Sequence, residues 1–161
     1  MLDDTIAAIA TPLGEGGLAV IRLSGSEATA IAGKCFKPVG PHSKPPADAL
    51  THTLHYGKVT DRGRDIDEVL LAVLLAPRTF TREDTIEITC HGGQLAAQSV
   101  LKAVLAAGAR SAEPGEFTRR AFINGRIDLA QAEAVSDLIH ARTDLSLAAA
   151  NEQLAGRLSQ R

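Results

Sequence analysis

Aromatic residues are scarce in this chain, which has no tryptophan, one tyrosine and four phenylalanines among its 161 residues. Any core must therefore be built from aliphatic side chains. Hydrophobic residues make up 45% of the chain and charged residues 22%, which is the balance of a folded globular protein and excludes a disordered one. A chain of this length can hold one domain with a substantial core and part of a second.

Excess basic charge is also lacking, because 17 Lys and Arg residues face 19 Asp and Glu residues, for a net charge of -2. Domains whose main role is to grip phosphate backbones are usually strongly basic, so that class is disfavoured. No run of about 18 apolar residues occurs, and the N-terminus carries acids where a secretory signal carries basic residues. We therefore expect a cytoplasmic protein that does not enter a membrane.

Cysteine is limited to Cys35 and Cys90, which lie far apart and form no CxxC motif. Without a secretory context, reduced thiols are expected. Cys90 precedes His91, but adjacent strand residues point to opposite faces and no further Cys or His stands at ligand spacing. The sequence thus predicts no metal site, and we interpret Cys90 as a buried thiol beside a histidine that orders the following loop.

Strands and helices are predicted throughout the first two thirds of the chain. Apolar or alternating runs bounded by Gly and Pro predict five strands, at 5–10, 18–24, 52–60, 66–76 and 85–90. The third and fourth flank DRGRD and predict a hairpin with Gly63 in its turn. Ser26 and Glu27 predict a capped short helix, and helical spacing from residue 94 predicts a second helix that ends at Gly108.

The composition shifts to helix formers after EPGEF. Asp128 and Gln131 resemble a capping box, and an apolar stripe then continues nearly to the end of the chain without a clear stop signal. A helix of that length needs a surface to pack on. Either the chain enters a larger helical domain or this helix docks back on the first domain, and we favour the first.

Two glycine-rich segments raise the question of phosphate binding. GEGG in the first loop is only a fragment of a dinucleotide motif, and no GxxxxGK[ST] occurs. His91, Gly92 and Gly93 lead into a helix, where glycines can expose N–H groups to an anion. No nucleotide site is predicted, and the His-Gly-Gly segment is either a tight strand-to-helix turn or a loop that contacts a ligand.

Charged residues interrupt two apolar strands. In TIEITC, Ile86, Ile88 and Cys90 share one face, which leaves Glu87 on the other face with the threonines. Arg22 lies between Ile21 and Leu23 in the same way. A solvated face would explain both, but two opposite charges could also pair with each other or both face a cavity that holds a polar ligand.

Three blocks, DTIAAIATPLGEGGLAVIRLSG, FTREDTIEITCHGG and EPGEFTRRAFINGRIDLAQAEAVSDLI, closely resemble the N-terminal part of the tRNA-modification GTPases of the MnmE (TrmE) family. They stand in the same order and at matching spacing, and they cover most of the chain. The Pro-rich stretch between the first two blocks is the variable part, where loops tolerate change.

The resemblance implies an α+β fold, with a folate-binding, aminomethyltransferase-like N-terminal domain of mixed or antiparallel strands and helices, followed by the first helices of an all-α domain. We expect the folate-binding and dimerisation domain to span residues 1–118 and residues 119–161 to form the start of the helical domain. In the family a GTPase domain, which would bind GTP, Mg²⁺ and K⁺, is inserted into the helical domain. This chain has no P-loop and no NKxD, so it is not expected to hydrolyse GTP by itself.

By the same resemblance, the family's folate contacts fall on Arg22, Glu87 and Arg126. The last replaces the Lys most often seen, and a planar guanidinium does not offer the geometry of an ammonium. The implied ligand is 5-formyltetrahydrofolate or 5,10-methylenetetrahydrofolate. A carboxylate such as Glu87 can accept from the neighbouring N–H donors of the pterin, while Arg22 or Arg126 can contact the formyl oxygen or the anionic tail.

The resemblance also implies the biological setting. The folate supplies a one-carbon unit for modification of the tRNA wobble uridine at C5, in a complex with the FAD-dependent partner MnmG (GidA) and with tRNA. A homodimer is expected, and no catalytic side chain can be named in this chain. Arg119, Arg120 and Arg126 form a basic cluster that could touch tRNA, but solvated or ion-paired arginines explain it better.

Two alternative functions remain open. A stand-alone folate-dependent enzyme, similar to the aminomethyltransferases, would need a general base near the pterin, and Asp84 and His91 are the candidates. A non-catalytic dimerisation module would bind no folate.

Overall fold

A computed structural model describes residues 4–12 and 14–156 of the chain. These residues divide into two compact units. The first ends at Glu113 and omits Phe80–Arg82, which belongs to the second unit together with the residues from Pro114 onward.

The first unit contains a seven-stranded mixed sheet. The strands are β1 (Ile6–Ile9), β2 (Leu18–Ser24), β3 (Phe36–Pro38), β4 (Thr53–Asp61), β5 (Arg64–Leu74), β6 (Thr85–His91) and β7 (Arg110–Ser111). Their order across the sheet is β3-β4-β5-β6-β2-β1-β7. The pair of β1 and β7 is parallel and every other pair is antiparallel. The five predicted strands are confirmed, whereas the short edge strands β3 and β7 were not predicted.

Two helices, α1 (Ala28–Cys35) and α2 (Gln94–Ala106), pack against the sheet. The core between them is almost entirely aliphatic, as expected from the composition. Its fully buried members include Ile21, Leu23, Leu71, Ile86, Ile88, Val100 and Val104. Burial of apolar area on this scale is the main stabilising contribution to the unit.

The hairpin predicted around Gly63 is confirmed. Arg62 and Gly63 form its two-residue turn, with φ angles of 47° and 78°. Both residues are thus in the left-handed region, which is the requirement of the turn type that matches the twist of antiparallel strands. Gly adopts this conformation without steric cost, which explains its place in the motif.

The start of α1 differs from the prediction in one respect. The helix is present, but its N-cap residue is Glu27, and neither Glu27 nor Ser26 supplies a side-chain cap. The hydroxyl of Thr5 instead accepts the Glu27 N–H at 3.0 Å. The free N–H groups of a helix start can be satisfied by any nearby acceptor, and here the acceptor comes from a distant part of the chain.

The second unit contains three helices, α3 (Glu116–Ile123), α4 (Leu129–His140) and α5 (Asp144–Leu154). The capping box of Asp128 and Gln131 is confirmed at the start of α4. The expectation of one long helix is wrong, because Ala141 is extended and Thr143 begins a second capping box with Ser146. The amides of Gln131 and Gln153 then donate to the Leu154 and Ala130 carbonyls, at 2.7 and 3.0 Å, and join the two helices.

Membrane insertion was not expected from the sequence. Among the described residues, none of the helices has the length and hydropathy needed to cross a membrane. The α+β class with a mixed sheet is confirmed.

Candidate functional site

The outer face of the first unit's sheet carries the two charged residues that interrupt the apolar strands. Alternation along β6 buries Ile86, Ile88 and Cys90 in the core and turns Glu87 to the other face. Strand β2 does the same with Ile21 and Leu23 inside. Arg22 is consequently on the same outer face as Glu87.

Arg22 and Glu87 are directly opposite each other in the β2–β6 ladder. The Arg22 Nε donates to Glu87 Oε1 at 2.8 Å, and its Nη2 contacts the same oxygen at 2.7 Å. The side chains remain 34% and 29% exposed, so this is a half-buried ion pair. Of the readings left open by the sequence, mutual pairing is the one observed.

The second carboxylate oxygen of Glu87, Oε2, accepts no hydrogen bond within the part of the chain that the structure describes. A carboxylate has lone pairs on both oxygens, so Glu87 can accept further bonds while Arg22 holds it in place. This arrangement presents an oriented, half-exposed acceptor on the sheet.

Small and apolar side chains surround the ion pair on this face. Ala72 is the cross-strand neighbour of Glu87 on β5, and Ala8 is that of Arg22 on β1. One step along the strands lie Leu70, Thr89 and Val20. Leu70 is 46% exposed, which makes it an apolar surface on which a flat ring could rest beside the acceptor.

The outer-face residues of β2 and β6 form a strip from Ser24 and Thr85 at one end to Leu18 and His91 at the other, and its two ends differ in burial. Beyond Arg22 and Glu87 on one side, Ser24 and Thr85 are buried, and the Ser24 hydroxyl donates to Oε2 of the buried Glu83 at 2.7 Å. On the other side, Leu18 and His91 are opposite each other, and Leu18 is 67% exposed. The strip is therefore closed at the Glu83 end and open at the His91 end.

The His-Gly-Gly segment forms the open end as a tight strand-to-helix turn. A Cβ at Gly92 would collide with the backbone of Gly16 and Leu18, so only glycine fits there. The Gly92 N–H donates to the Gly17 carbonyl at 3.2 Å, and the Gly16 N–H donates to the Gly92 carbonyl at 3.4 Å. The first glycine loop and the turn are thus held together through their backbones.

Asp67 anchors His91 at the start of this turn. Its Oδ2 accepts the His91 N–H at 2.8 Å, and its Oδ1 lies 2.6 Å from His91 Nδ1. Oδ1 also accepts the Glu68 N–H at 2.9 Å. The Asp67 side chain is only 11% exposed, whereas that of His91 is 69% exposed.

The two cysteines are buried, and their thiols have low reactivity. Burial raises the pKa of the Cys90 thiol to about 11, with a further contribution from the negative charge of Asp67. Burial likewise raises the pKa of Cys35 to about 11. A thiol with such a pKa is a poor nucleophile at neutral pH. In the described ranges, no three His, Cys, Asp or Glu side chains are grouped so that they could hold a metal ion.

Arg126 belongs to the second unit, unlike Arg22 and Glu87. It lies in the turn after α3, where its N–H donates to the Ala121 carbonyl at 2.8 Å, and it is exposed. The structure therefore brings Arg22 and Glu87 into contact, while Arg126 is described within its own unit. Its side chain is on a surface turn and is accessible to a ligand.

The basic cluster of the second unit contains ion pairs. Arg120 is fully buried, and its Nη2 donates to Glu116 Oε1 at 3.1 Å, one helical turn earlier. Arg119 Nη2 lies 3.5 Å from the same oxygen. The ion-paired interpretation is thus confirmed for these two arginines.

Sequence reasoning missed Asp67, Ser24 and Glu83 as polar residues that order the site. Asp67 lies in the charged first half of β5, next to Glu68, so its place in the sequence gave no sign of a special role. Only the structure shows that its side chain is nearly buried and bonds to His91, because this contact depends on where β6 ends relative to β5. Asp84, a candidate base, accepts the Ala76 N–H at 2.9 Å and so holds a loop.

Comparisons with known proteins give one consistent result. The family model described as GTP-binding protein TrmE N-terminus matches residues 5–126. Proteins named tRNA modification GTPase MnmE are similar over nearly the whole chain. The Bacillus velezensis protein is 60% identical over 158 residues, which is 97% of this chain and 34% of that protein. The Bacillus subtilis protein is 58% identical with the same coverage, and the Moorella thermoacetica protein is 57% identical over 164 residues. The chain spans about a third of the length of these relatives.

Proposed function

The chain belongs to the TrmE N-terminus family, and from this premise we propose that its first unit binds a tetrahydrofolate one-carbon donor for tRNA modification. The observation that carries the proposal is the pair of Arg22 and Glu87 on the outer sheet face. Arg22 holds one oxygen of the carboxylate and leaves Oε2 available, and small apolar residues flank the pair.

The pterin end of a folate matches these groups. Its 2-amino group and the neighbouring ring N–H are adjacent donors, and an ionised carboxylate is the strongest common acceptor for such a pair. Glu87 would therefore accept hydrogen bonds from the pterin edge while the ring packs against Ala72 and Leu70. The Arg22 guanidinium keeps Glu87 oriented and can also donate to a formyl oxygen.

Arg126 is proposed as the third folate contact, on the family pattern that has Lys at this position. An Arg presents a planar fork of donors where Lys presents a point charge, and it can donate to the formyl oxygen or to a carboxylate of the folate tail. The folate-binding domain is proposed to span residues 1–118, and residues 119–161 are proposed to form the start of the helical domain.

The folate, when bound, would supply the one-carbon unit that is added to C5 of a tRNA wobble uridine. The residues of this chain would bind the cofactor, orient it and shield part of it from water. The remaining activity is proposed for the whole protein. It comprises GTP hydrolysis with Mg²⁺ and K⁺, cooperation with the FAD-dependent partner MnmG and contact with tRNA through that complex.

Calorimetric titration of the chain with 5-formyltetrahydrofolate tests the proposal. Glu87→Ala removes the charge-assisted acceptor, whose loss should weaken binding about 10-fold to 150-fold. Glu68→Ala is the matched control, because Glu68 is an exposed carboxylate on a neighbouring strand that bonds to Tyr56 rather than to the site. Absence of binding by the folded parent chain would overturn the proposal and favour a dimerisation module. One-carbon transfer by the isolated chain would favour the aminomethyltransferase-like alternative.

Homodimerisation is proposed for the same unit, with a second copy of the chain covering the outer face of β4, beside the proposed folate site. Leu54 and Tyr56 on β4 continue the apolar surface beyond Leu70, and they are 68% and 43% exposed. An exposed apolar strip of this kind marks an interaction surface. Sedimentation velocity should give a dimer for the parent and a monomer for Leu54→Glu. A monomeric parent at micromolar concentration would contradict this part of the proposal.

A further inference from the structure

His91 is a titratable residue of the outer sheet face to which the proposed function gives no role. It follows Glu87 and Thr89 along the outer face of β6. The four residues from Glu87 to His91 correspond to about 13 Å along a strand. This separation is greater than a pterin ring and shorter than a folate, so a folate with its pterin at Glu87 can bring its middle part to the imidazole.

The burial of the strip decides the direction in which such a ligand extends. At the Glu83 end, Ser24 and Thr85 are buried and hydrogen-bonded, which leaves no open path for a long, charged tail. At the other end the His91 side chain is 69% exposed and Leu18 is 67% exposed. A folate with its pterin at Glu87 therefore extends towards His91.

The tautomer of the neutral His91 ring follows from its partner. An ionised carboxylate can only accept hydrogen bonds, so the 2.6 Å contact between Asp67 Oδ1 and His91 Nδ1 puts a proton on Nδ1. In the neutral ring the other nitrogen, Nε2, is then an acceptor. The second bond of Asp67, from the His91 backbone N–H to its Oδ2 at 2.8 Å, fixes the residue from which the ring projects. The pair presents an oriented acceptor at the open end of the strip.

The geometry points to His91 as a further ligand residue of the proposed folate site. Its Nε2 accepts a hydrogen bond from the bridge N–H that joins the pterin to the benzoyl ring of the folate. Asp67 is a positioning residue, since it touches His91 and selects the ring tautomer. This inference rests on the proposed folate binding, and it adds a contact at the middle of the ligand to the contacts at its ends.

Two substitutions separate the ligand contact from a structural role. His91→Asn keeps a side-chain N–H near the Nδ1 position, so the bond to Asp67 is retained while the acceptor at Nε2 is lost. Asp67→Asn keeps an acceptor for the His91 N–H but offers the ring a donor, which moves the ring proton to Nε2 and turns the acceptor into a donor. A merely structural His91 would tolerate His91→Asn.

The test measures the binding of two ligands by calorimetry. One is 5-formyltetrahydrofolate, which carries the bridge N–H, and the other is its 10-methyl derivative, which lacks it. His91→Asn and Asp67→Asn should each weaken binding of the first ligand about 2-fold to 13-fold, the effect of one hydrogen bond. Neither should weaken binding of the 10-methyl derivative beyond error. Nitrogen-15 NMR of the parent ring should show the Nδ1–H tautomer, and Asp67→Asn should show the Nε2–H tautomer.

The possible failures are distinguishable. If the parent binds and Glu87→Ala loses binding, but His91→Asn binds 5-formyltetrahydrofolate as tightly as the parent, the proposed function stands and the role of His91 is wrong. An Nε2–H tautomer in the parent, or equal weakening of both ligands, would overturn the role of His91 in the same way. If the folded parent binds neither ligand, the proposed function fails, and the role of His91 fails with it.

Discussion

At the scale of single residues, the central feature is the half-buried ion pair of Arg22 and Glu87, in which Arg22 contacts only one oxygen of the carboxylate. Arg22 and Glu87 meet because β2 and β6 run antiparallel in a register that places them opposite each other. Each alone would be a charge in an apolar strand, which is costly without a partner. Together they stabilise each other, and Glu87 Oε2 remains available to a ligand.

Gly92 tests how tightly the open end of the strip is packed. Gly92→Ala should lower the free energy of unfolding by about 1 to 3 kcal/mol, because the added methyl would collide with the backbone of Gly16 and Leu18. Gly33→Ala is the matched control. Gly33 lies in α1 with open space around it, so the same change there should stabilise the protein by about 0.8 to 1 kcal/mol through helix propensity.

Urea unfolding of both variants measures these differences directly. Equal effects of the two substitutions would contradict the described contact between the turn and the first glycine loop.

The buried thiols give a second prediction at this scale. With the pKa of Cys35 and of Cys90 raised to about 11, the thiolate fraction is small at pH 8 and rises about tenfold per pH unit up to that value. Alkylation of the folded protein at pH 8 should therefore be on the order of 100-fold slower than that of an unperturbed thiol of pKa about 8.5. The rate in denaturant supplies the reference, and equal rates in both states would refute the burial of the thiols.

At the scale of elements, the parts that could be predicted from the sequence are those governed by local rules. Alternation along β6 and the turn chemistry at Gly63 are properties of neighbouring residues, and both predictions are confirmed. The helix break at Thr143 was missed because the apolar stripe continues across it, although Thr is a favoured N-cap residue. The edge strands β3 and β7 were missed because strands of two or three residues have no period to detect.

In the candidate site too, features that depend on neighbouring residues were predictable and contacts between distant residues were not. Arg22 and Glu87 stood out because a charge in an apolar strand is a local signal. The role of Asp67 was not predictable, since its contact with His91 joins two strands that are 24 residues apart in sequence. The alternation within a strand determines which face a side chain is on, but it does not identify the strand that lies beside it.

The helix caps of the second unit can be tested one at a time. Asp128→Ala removes the side chain that accepts the Gln131 N–H at 2.8 Å and should destabilise the protein by about 0.5 to 2 kcal/mol. Asp137→Ala, an exposed position in the second half of α4, is the control and should change stability by less than about 0.5 kcal/mol. Thermal unfolding compares them, and equal loss from both would argue against the cap.

The hairpin of β4 and β5 carries an exposed pair with a predictable pH response. The hydrogen bond from Lys58 Nζ to Asp65, 2.8 Å long, lowers the pKa of Asp65 below its ordinary value. The stabilising contribution of a carboxyl with a lowered pKa is present above the unfolded pKa and is lost as the pH falls through the folded pKa. Lys58→Met should return the pKa of Asp65 towards that ordinary value, as measured by carboxyl NMR titration. An unchanged pKa would show that the bond does not form in solution.

At the scale of the whole molecule, the chain combines a sheet unit that presents the candidate site with a unit of three helices. Side-chain hydrogen bonds fix local structure in both units. The first unit has the Asp67–His91 contact, and the second has the two capping boxes. Membership of the TrmE N-terminus family fits both units, since the match ends at residue 126, within the second. The relatives are about three times as long as this chain, and GTP hydrolysis and partner binding are proposed for that larger protein.

A crystal structure of the chain with bound 5-formyltetrahydrofolate tests the central claim most directly. We expect the pterin edge within hydrogen-bond distance of Glu87 Oε2 and the ring against the outer sheet face. A folate bound elsewhere, or a pterin that does not touch Glu87, would contradict the assignment of this sheet face as the folate site.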